Sequence, residues 1–186
     1  MARPLTGGEI AMVRQLFGDA IDVARVRVHA RRYLPFGMQP KHCAMAPNGS
    51  LYFHHSCFRD DFSRAAPCDQ RWFMHEMVHV WQHQLGYMVR LRGAIRIGLH
   101  YTYALRPGAN LADYNMEAQG DLLADYFMLR FGGAPGTAGA LATAGHSSPP
   151  APLALYDTVL ASFLAHPRDC TNLPAGWGRA WARTLR

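Results

Sequence analysis

Lysine occurs once in the 186 residues, at Lys41, and glutamate three times, at Glu9, Glu76 and Glu117. The formal charge of +6 and the pI near 9.5 therefore rest on arginine. Such a balance permits attraction to nucleic acid, anionic surfaces or acidic substrates, but no dense basic run accompanies it, and no nucleic-acid partner is expected. No apolar run approaches the length that spans a bilayer, and residues 1–8 lack the apolar core of a secretory signal. A protein of this kind is expected to be exported, if at all, by another machine. The four cysteines, Cys43, Cys57, Cys68 and Cys170, show no C-x-x-C spacing, so a finger-type structural zinc is not expected. Disulfides in an oxidising compartment and reduced, mostly buried thiols both stay open. Internal repeats are absent, and the length and the apolar fraction of 49% suit one domain, 1–186, with a sizeable core.

What is present centres on His75-Glu76-Met77-Val78-His79. On a helix, residues i and i+4 share a face, so both imidazoles can point at one zinc ion. Glu76, about 100° round from His75, is placed to act on a water rather than to bind the same ion. This is the H-E-x-x-H arrangement of metallopeptidases. A helical wheel of residues 72 to 85 puts Phe73, Met74, Met77, Val78, Val80, Trp81 and Leu85 on one apolar arc, with His75, Glu76, His79 and His83 opposite. The alternative is a solvated polar stripe on an amphipathic helix, but the width of the apolar arc favours a central helix with a cleft on its other side.

Along the chain, Thr6 and Glu9 read as a capping box that opens a helix running to about Phe17. Alternating residues from Ile21 to Tyr33 read as a strand, and Asn48-Gly49 between Cys43 to Ala46 and Leu51 to His54 reads as a hairpin. The early part is thus a small antiparallel sheet. The motif helix is expected from about Asp69 to Gly86, and the stretch Tyr87 to Leu105 has no clear period. A second helix runs from about Met116, capped by Asn115 or Asp113, to Phe131. Residues 1–132 thus hold the sheet and the site helices and 133–152 a flexible connection, while 153–186 hold a last helix, Leu153 to Ala165, and a tail whose Trp177 and Trp181 dock back on the core.

Two histidines hold zinc weakly, and a catalytic site takes a third ligand while leaving one position for water. Glu117, in the first turn of the second helix, is the chosen third ligand. Asp121, four residues on and on the same face, would accept a hydrogen bond from a ligating histidine. The alternative is a pair of helix N-terminal acids facing solvent. His83 continues the row from His75 and His79, but three such positions span about 12 Å of axial rise, too long to converge on one ion. It is expected as a wall of the cleft. Gln82 and Leu85 stand where the metzincin pattern needs Gly and His, which excludes that class. Tyr101, Tyr103 and Tyr114 are candidates for stabilising an oxyanion, each with ordinary half-buried packing as the alternative. His54 and His55 line the cleft or face solvent, and Leu51 to His54 could offer an edge to an extended peptide.

These residues resemble a family. H-E-x-x-H followed by a helix with Glu and then Asp four residues later is similar to the gluzincin, thermolysin-like arrangement. More particularly, His75 to Gln82, then Asp113 to Gln119, then Ala124-Asp125-Tyr126-Phe127 resemble the zinc-metallopeptidase domains found on Vgr- and Rhs-type proteins of the bacterial type VI secretion system. The resemblance covers about residues 70 to 131. It implies an α+β, mainly helical zincin-like fold with a small antiparallel sheet, its H-E-x-x-H helix packed on a second helix that carries the third ligand. It also implies a Zn2+ cofactor, a peptide or protein substrate, a Vgr/Rhs-type carrier, a cognate immunity protein, and action in the periplasm of a target cell. The other readings are a DNA-associated or other zinc hydrolase, for which the charge is the support, and a non-enzymatic zinc-binding interaction domain. The presence of Glu76 speaks against the last, because a structural site needs no base.

Overall fold

Thr6 starts the first helix as its side chain and that of Glu9 cap each other's backbone N–H groups, and helix α1 runs Gly7–Phe17. The structure, a computed structural model, describes residues 2–35, 38–94, 100, 102–132 and 151–176. Fully buried Glu9 does more than cap: it accepts from Arg3 Nη1 and Nη2 and from the Phe62 N–H, so one of the three glutamates ties the N-terminus to the loop before the motif helix.

The sheet is smaller than the alternation suggests, and it is mixed rather than antiparallel. Strand β1, Ala2–Arg3, pairs antiparallel with β2, Val28–His29, which pairs parallel with β3, Leu51–Tyr52. The expected long strand is cut short because the Asp22 side chain caps a 3-10 turn at Val23–Arg25. The alternation itself is real: Val26 and Val28 are buried and Arg27 is exposed. The Asn48-Gly49 turn, with Gly49 at φ 79°, brings Met45 opposite Tyr52 in an antiparallel bridge, so the hairpin exists with a single paired rung.

Helix α2, Pro67–Gln84, carries the motif and starts two residues early, with Pro at its first position. It is buried almost all round rather than on one arc. A short helix α3, Val89–Ala94, follows. Helix α4, Met116–Phe131, begins at its Asn115 cap, where the side chain accepts from the Glu117 and Ala118 N–H groups. It packs along α2. Instead of one helix at 153–165 there are two, α5, Leu153–Val159, and α6, Ala161–Ala165, jointed at Leu160. The joint lets Tyr156, Val159, Leu160 and Phe163 all enter the core, where Phe163 meets Trp81 and Phe17 edge-on. Among the described residues no helix is long and apolar enough to cross a membrane. Nearly all of the connection at 133–152, with Trp177 and Trp181, lies outside the described residues. Cys57 and Cys68 are free thiols, one buried and one exposed, and the Cys43 thiol donates to the Ala44 carbonyl.

Candidate metal centre

Two rows of side chains at i, i+4 spacing face each other across the α2/α4 interface, and they run in opposite directions. On α2 the row is Arg71, His75, His79; on α4 it is Asp125, Asp121, Glu117. Arg71 Nε donates to Asp125 Oδ1 at 2.6 Å and its Nη2 to Asp121 Oδ1 at 2.8 Å. His75 Nδ1 lies 3.1 Å from the same Asp121 oxygen. Glu117 Oε2 lies 3.3 Å from His75 Nε2 and 3.2 Å from His79 Nε2, and the two Nε2 atoms are 3.1 Å apart. Such close approach of the helices depends on Gly120, where a Cβ would come within 2.6 Å of His75 Cε1. Glycine costs about 1 kcal/mol relative to alanine inside a helix, so the space it leaves is the reason for it here. Gly120→Ala is expected to push the His75 ring aside and destabilise the protein by about 1–3 kcal/mol despite the better helix former. Thermal unfolding of the metal-free chain checks this, and an unchanged or higher Tm would contradict it.

The hydrogen bonds fix which ring nitrogen of each histidine carries the proton. The carbonyls of Leu111 and Asn172 can only accept, so Gln119 Nε2 faces them, at 2.8 and 3.0 Å. Gln119 Oε1 therefore accepts from Gln82 Nε2, and Gln82 Oε1 faces His79 Nδ1 at 2.9 Å. His75 Nδ1 faces a carboxylate. Both Nδ1 atoms are thus donors, so in the neutral form of each ring the Nε2 lone pair is aimed at the point shared with the Glu117 carboxylate.

That convergence fits a zinc ion. Ligand atoms about 2.0–2.1 Å from a tetrahedral zinc stand about 3.3–3.4 Å apart, close to the separations of 3.1, 3.2 and 3.3 Å. Among the described residues, His75, His79 and Glu117 form the one group with ligand atoms close enough to share an ion. The electrostatics point the same way. Burial opposes charge on His75, yet its hydrogen bonds to Asp121 and Glu117 outweigh that and push its pKa up to about 10. Burial also opposes charge on Glu117, but the two histidines hold its carboxyl well below the usual range. Glu76 goes the other way: burial, with the neighbouring Glu117 and Asp121 carboxylates, raises it, and the histidines only partly offset this. Its Oε2 is buried without a hydrogen-bond partner.

The site opens into a cavity of about 1020 Å3 whose walls include Tyr33, His42, the segment Cys43 to Pro47, Trp72 and Val89. Its sheet-side wall is thus the segment before the Asn48-Gly49 turn, not β3, because Met45 already covers the β3 edge. Of the tyrosines, Tyr103 donates to Asp125 Oδ2 and also meets the Tyr156 hydroxyl, each at 2.6 Å, and Tyr114 donates to the Ala104 carbonyl. Neither lines the cavity, so neither is placed to stabilise an oxyanion; a buried phenol takes the nearest acceptor. Tyr101 lies outside the described residues. His83 is exposed and is no wall of this cleft: it packs over Gly49 and lines a separate surface cavity with Asp22, Arg25 and Asn48. His54 is buried and His55 exposed, both away from the cleft. Sequence reading gave no role in the site to Arg71, Gln82, Gly120 and Asp125, although Gln82 and Asp125 stand in the stretches that carry the resemblance. Arg71 and Asp125 carried a signal, each standing four residues from an assigned site residue.

Fold and site together define a mainly helical α+β domain with a small three-stranded sheet and a buried His, His, Glu cluster between two antiparallel helices. Among curated proteins the chain is 44% identical over 133 residues to the type VI secretion system spike protein VgrG2b of Pseudomonas aeruginosa, an alignment covering 68% of this chain and 13% of that protein. Among solved structures it matches the effector domain of Pseudomonas aeruginosa VgrG2b with a TM-score of 0.67 and 38% identity, covering 85% of this chain and 83% of that one. No family model matches. The chain belongs to the family of type VI secretion effector domains represented by that of VgrG2b.

Proposed function

We propose that the chain is a zinc metallopeptidase of the gluzincin kind, acting as a type VI secretion toxin. The observation that carries this reading is the buried Glu76 Oε2, without a hydrogen-bond partner, beside two histidines whose Nε2 atoms converge with Glu117. A structural site would leave no base in that position. His75, His79 and Glu117 hold the ion, and Asp121 and Gln82 hold the two rings in the ligating tautomer. Zinc bound there supplies a Lewis acid that polarises a carbonyl and acidifies water. Glu76 takes the proton from water as its oxygen attacks the peptide carbonyl, then delivers it to the amine as the C–N bond breaks. Its raised pKa, caused first by burial, makes it a stronger base for the first of these transfers. The cavity is large enough for several residues of a peptide. The VgrG2b relationship supports a Vgr-type carrier, and with it a cognate immunity protein and action in the periplasm of a target cell.

Elemental analysis of the purified protein tests the reading: about one zinc per chain, and peptide hydrolysis that is lost with a chelator and restored with zinc. A chain that takes up no zinc, or cleaves equally well without it, overturns it. Binding should also release protons. At pH 8 the metal-free His75, pushed up to about 10, is protonated, and it must be neutral to ligate. Burial opposes charge on His79 too, but the Glu117 carboxylate raises its pKa as well, so calorimetry in two buffers of different ionisation enthalpy should show net proton release on zinc binding.

A further inference from the structure

Both ligating histidines stand at the head of a chain of buried and half-buried hydrogen bonds, and both chains end in the same stretch, residues 151–176. From His75 the path runs through Asp121, Arg71, Asp125 and the Tyr103 hydroxyl to Tyr156 in α5. Because the Tyr103 proton goes to Asp125, the Tyr156 hydroxyl must donate to Tyr103. From His79 the path runs through Gln82 and Gln119 to the carbonyl of Asn172. The stretch is tied to the two site helices at further points, Trp81 Nε1 to the Pro167 carbonyl at 2.7 Å and Tyr126 to Asp157 at 2.9 Å.

We propose that the C-terminal stretch is energetically part of the metal centre: its docking sets how tightly the site holds zinc, and bound zinc holds the stretch in place. Tyr156 and Asn172 are positioning residues in this scheme, acting through the chains and not on the ion. Each link in a chain is a directional bond between groups wholly or partly withdrawn from water, so loosening the end removes a restraint on the orientation of the next link and, through it, of the ring. The last link to turn is an imidazole, and its Nε2 then leaves the point shared with Glu117. The reverse effect follows from linkage, since two coupled equilibria change each other by the same factor. The consequence is a conditional enzyme, which holds its metal more tightly when residues 151–176 are seated. The proposal rests on the zinc-site reading above.

The test uses the full chain and zinc ion. Tyr156→Phe removes the end of one chain, and Asn172→Ala, which keeps the accepting main-chain carbonyl, removes the Nδ2 bond to the His166 carbonyl that seats it; both are titrated against a competing chelator well below their Tm, beside Val13→Ala, a buried core substitution in α1. Zinc Kd should rise about three- to tenfold in the first two and stay within twofold of wild type in Val13→Ala, although its Tm falls. In the wild type, zinc should slow amide exchange across 153–173 more than across α1. Unchanged Kd in both Tyr156→Phe and Asn172→Ala overturns the proposal, as does a zinc effect on exchange no larger in 153–173 than in α1. A wild-type chain that binds no zinc removes the reading beneath it, a different failure from zinc bound without coupling.

Discussion

Glu76→Gln is expected to lower peptide hydrolysis about a thousandfold while leaving about one zinc per chain, because the amide keeps the shape of the carboxylate but cannot accept a proton. Glu76 touches neither ligating nitrogen through a hydrogen bond, and its Oε2 has no partner to lose. The substitution should therefore leave the fold intact and, by removing a carboxylate held above its ordinary pKa by burial, stabilise the protein slightly. The same variant separates toxicity from mere expression. Directed to the periplasm of a bacterial host, the wild-type domain should arrest growth and Glu76→Gln should not, while both are tolerated in the cytoplasm. A Glu76→Gln protein that retains more than a tenth of the hydrolytic rate would remove Glu76 from the chemistry.

The other large effect concerns the third ligand. Glu117→Ala takes away the one anion that meets both Nε2 atoms, and zinc affinity should fall about a hundredfold or more. At a zinc concentration well above the wild-type Kd, a hundredfold weaker site removes about 2.7 kcal/mol of metal-dependent stabilisation. For a chain of this length that is roughly 5–10 °C of Tm, read by thermal unfolding with and without zinc. Glu117→Gln, neutral but nearly isosteric, should weaken binding less. His83→Ala should leave the zinc content at the wild-type level, since that ring is exposed and packs over Gly49 beside a different cavity. The opposite pattern, with His83 needed for metal and Glu117 dispensable, would show that the ligand set is wrong.

Much of the centre is legible in the sequence because helical geometry is local. His75 and His79 share a face by spacing alone, and the Asn115 cap before Met116 places Glu117 and Asp121 one turn apart whatever the rest of the chain does. The capping box at Thr6 and the Asn48-Gly49 turn are local in the same way. The errors fall where a residue's role depends on a distant acceptor. Tyr103 looks like a phenol available to a cleft, yet Asp125 and Tyr156 hold its hydroxyl in the interior. Gln82 looks like a departure from another motif, and it is the group that holds His79 in its tautomer. A parallel pairing of β2 with β3 has no signature in either two-residue strand.

The sequence by itself determined helix α1 and the two site helices, the caps of α1 and α4, and the spacing that puts His75 with His79 and Glu117 with Asp121, since these follow from spacings of three and four residues and from side chains that reach the adjacent backbone. Only the tertiary structure decided that the row Arg71, His75, His79 meets the row Asp125, Asp121, Glu117 in reverse order, with Gly120 letting the helices close and Gln119 and Tyr156 completing the chains behind the histidines. The reason is the cost of burying polar groups: each of these side chains is removed from water, and the packing that survives is the one in which each finds a partner contributed by a remote part of the chain.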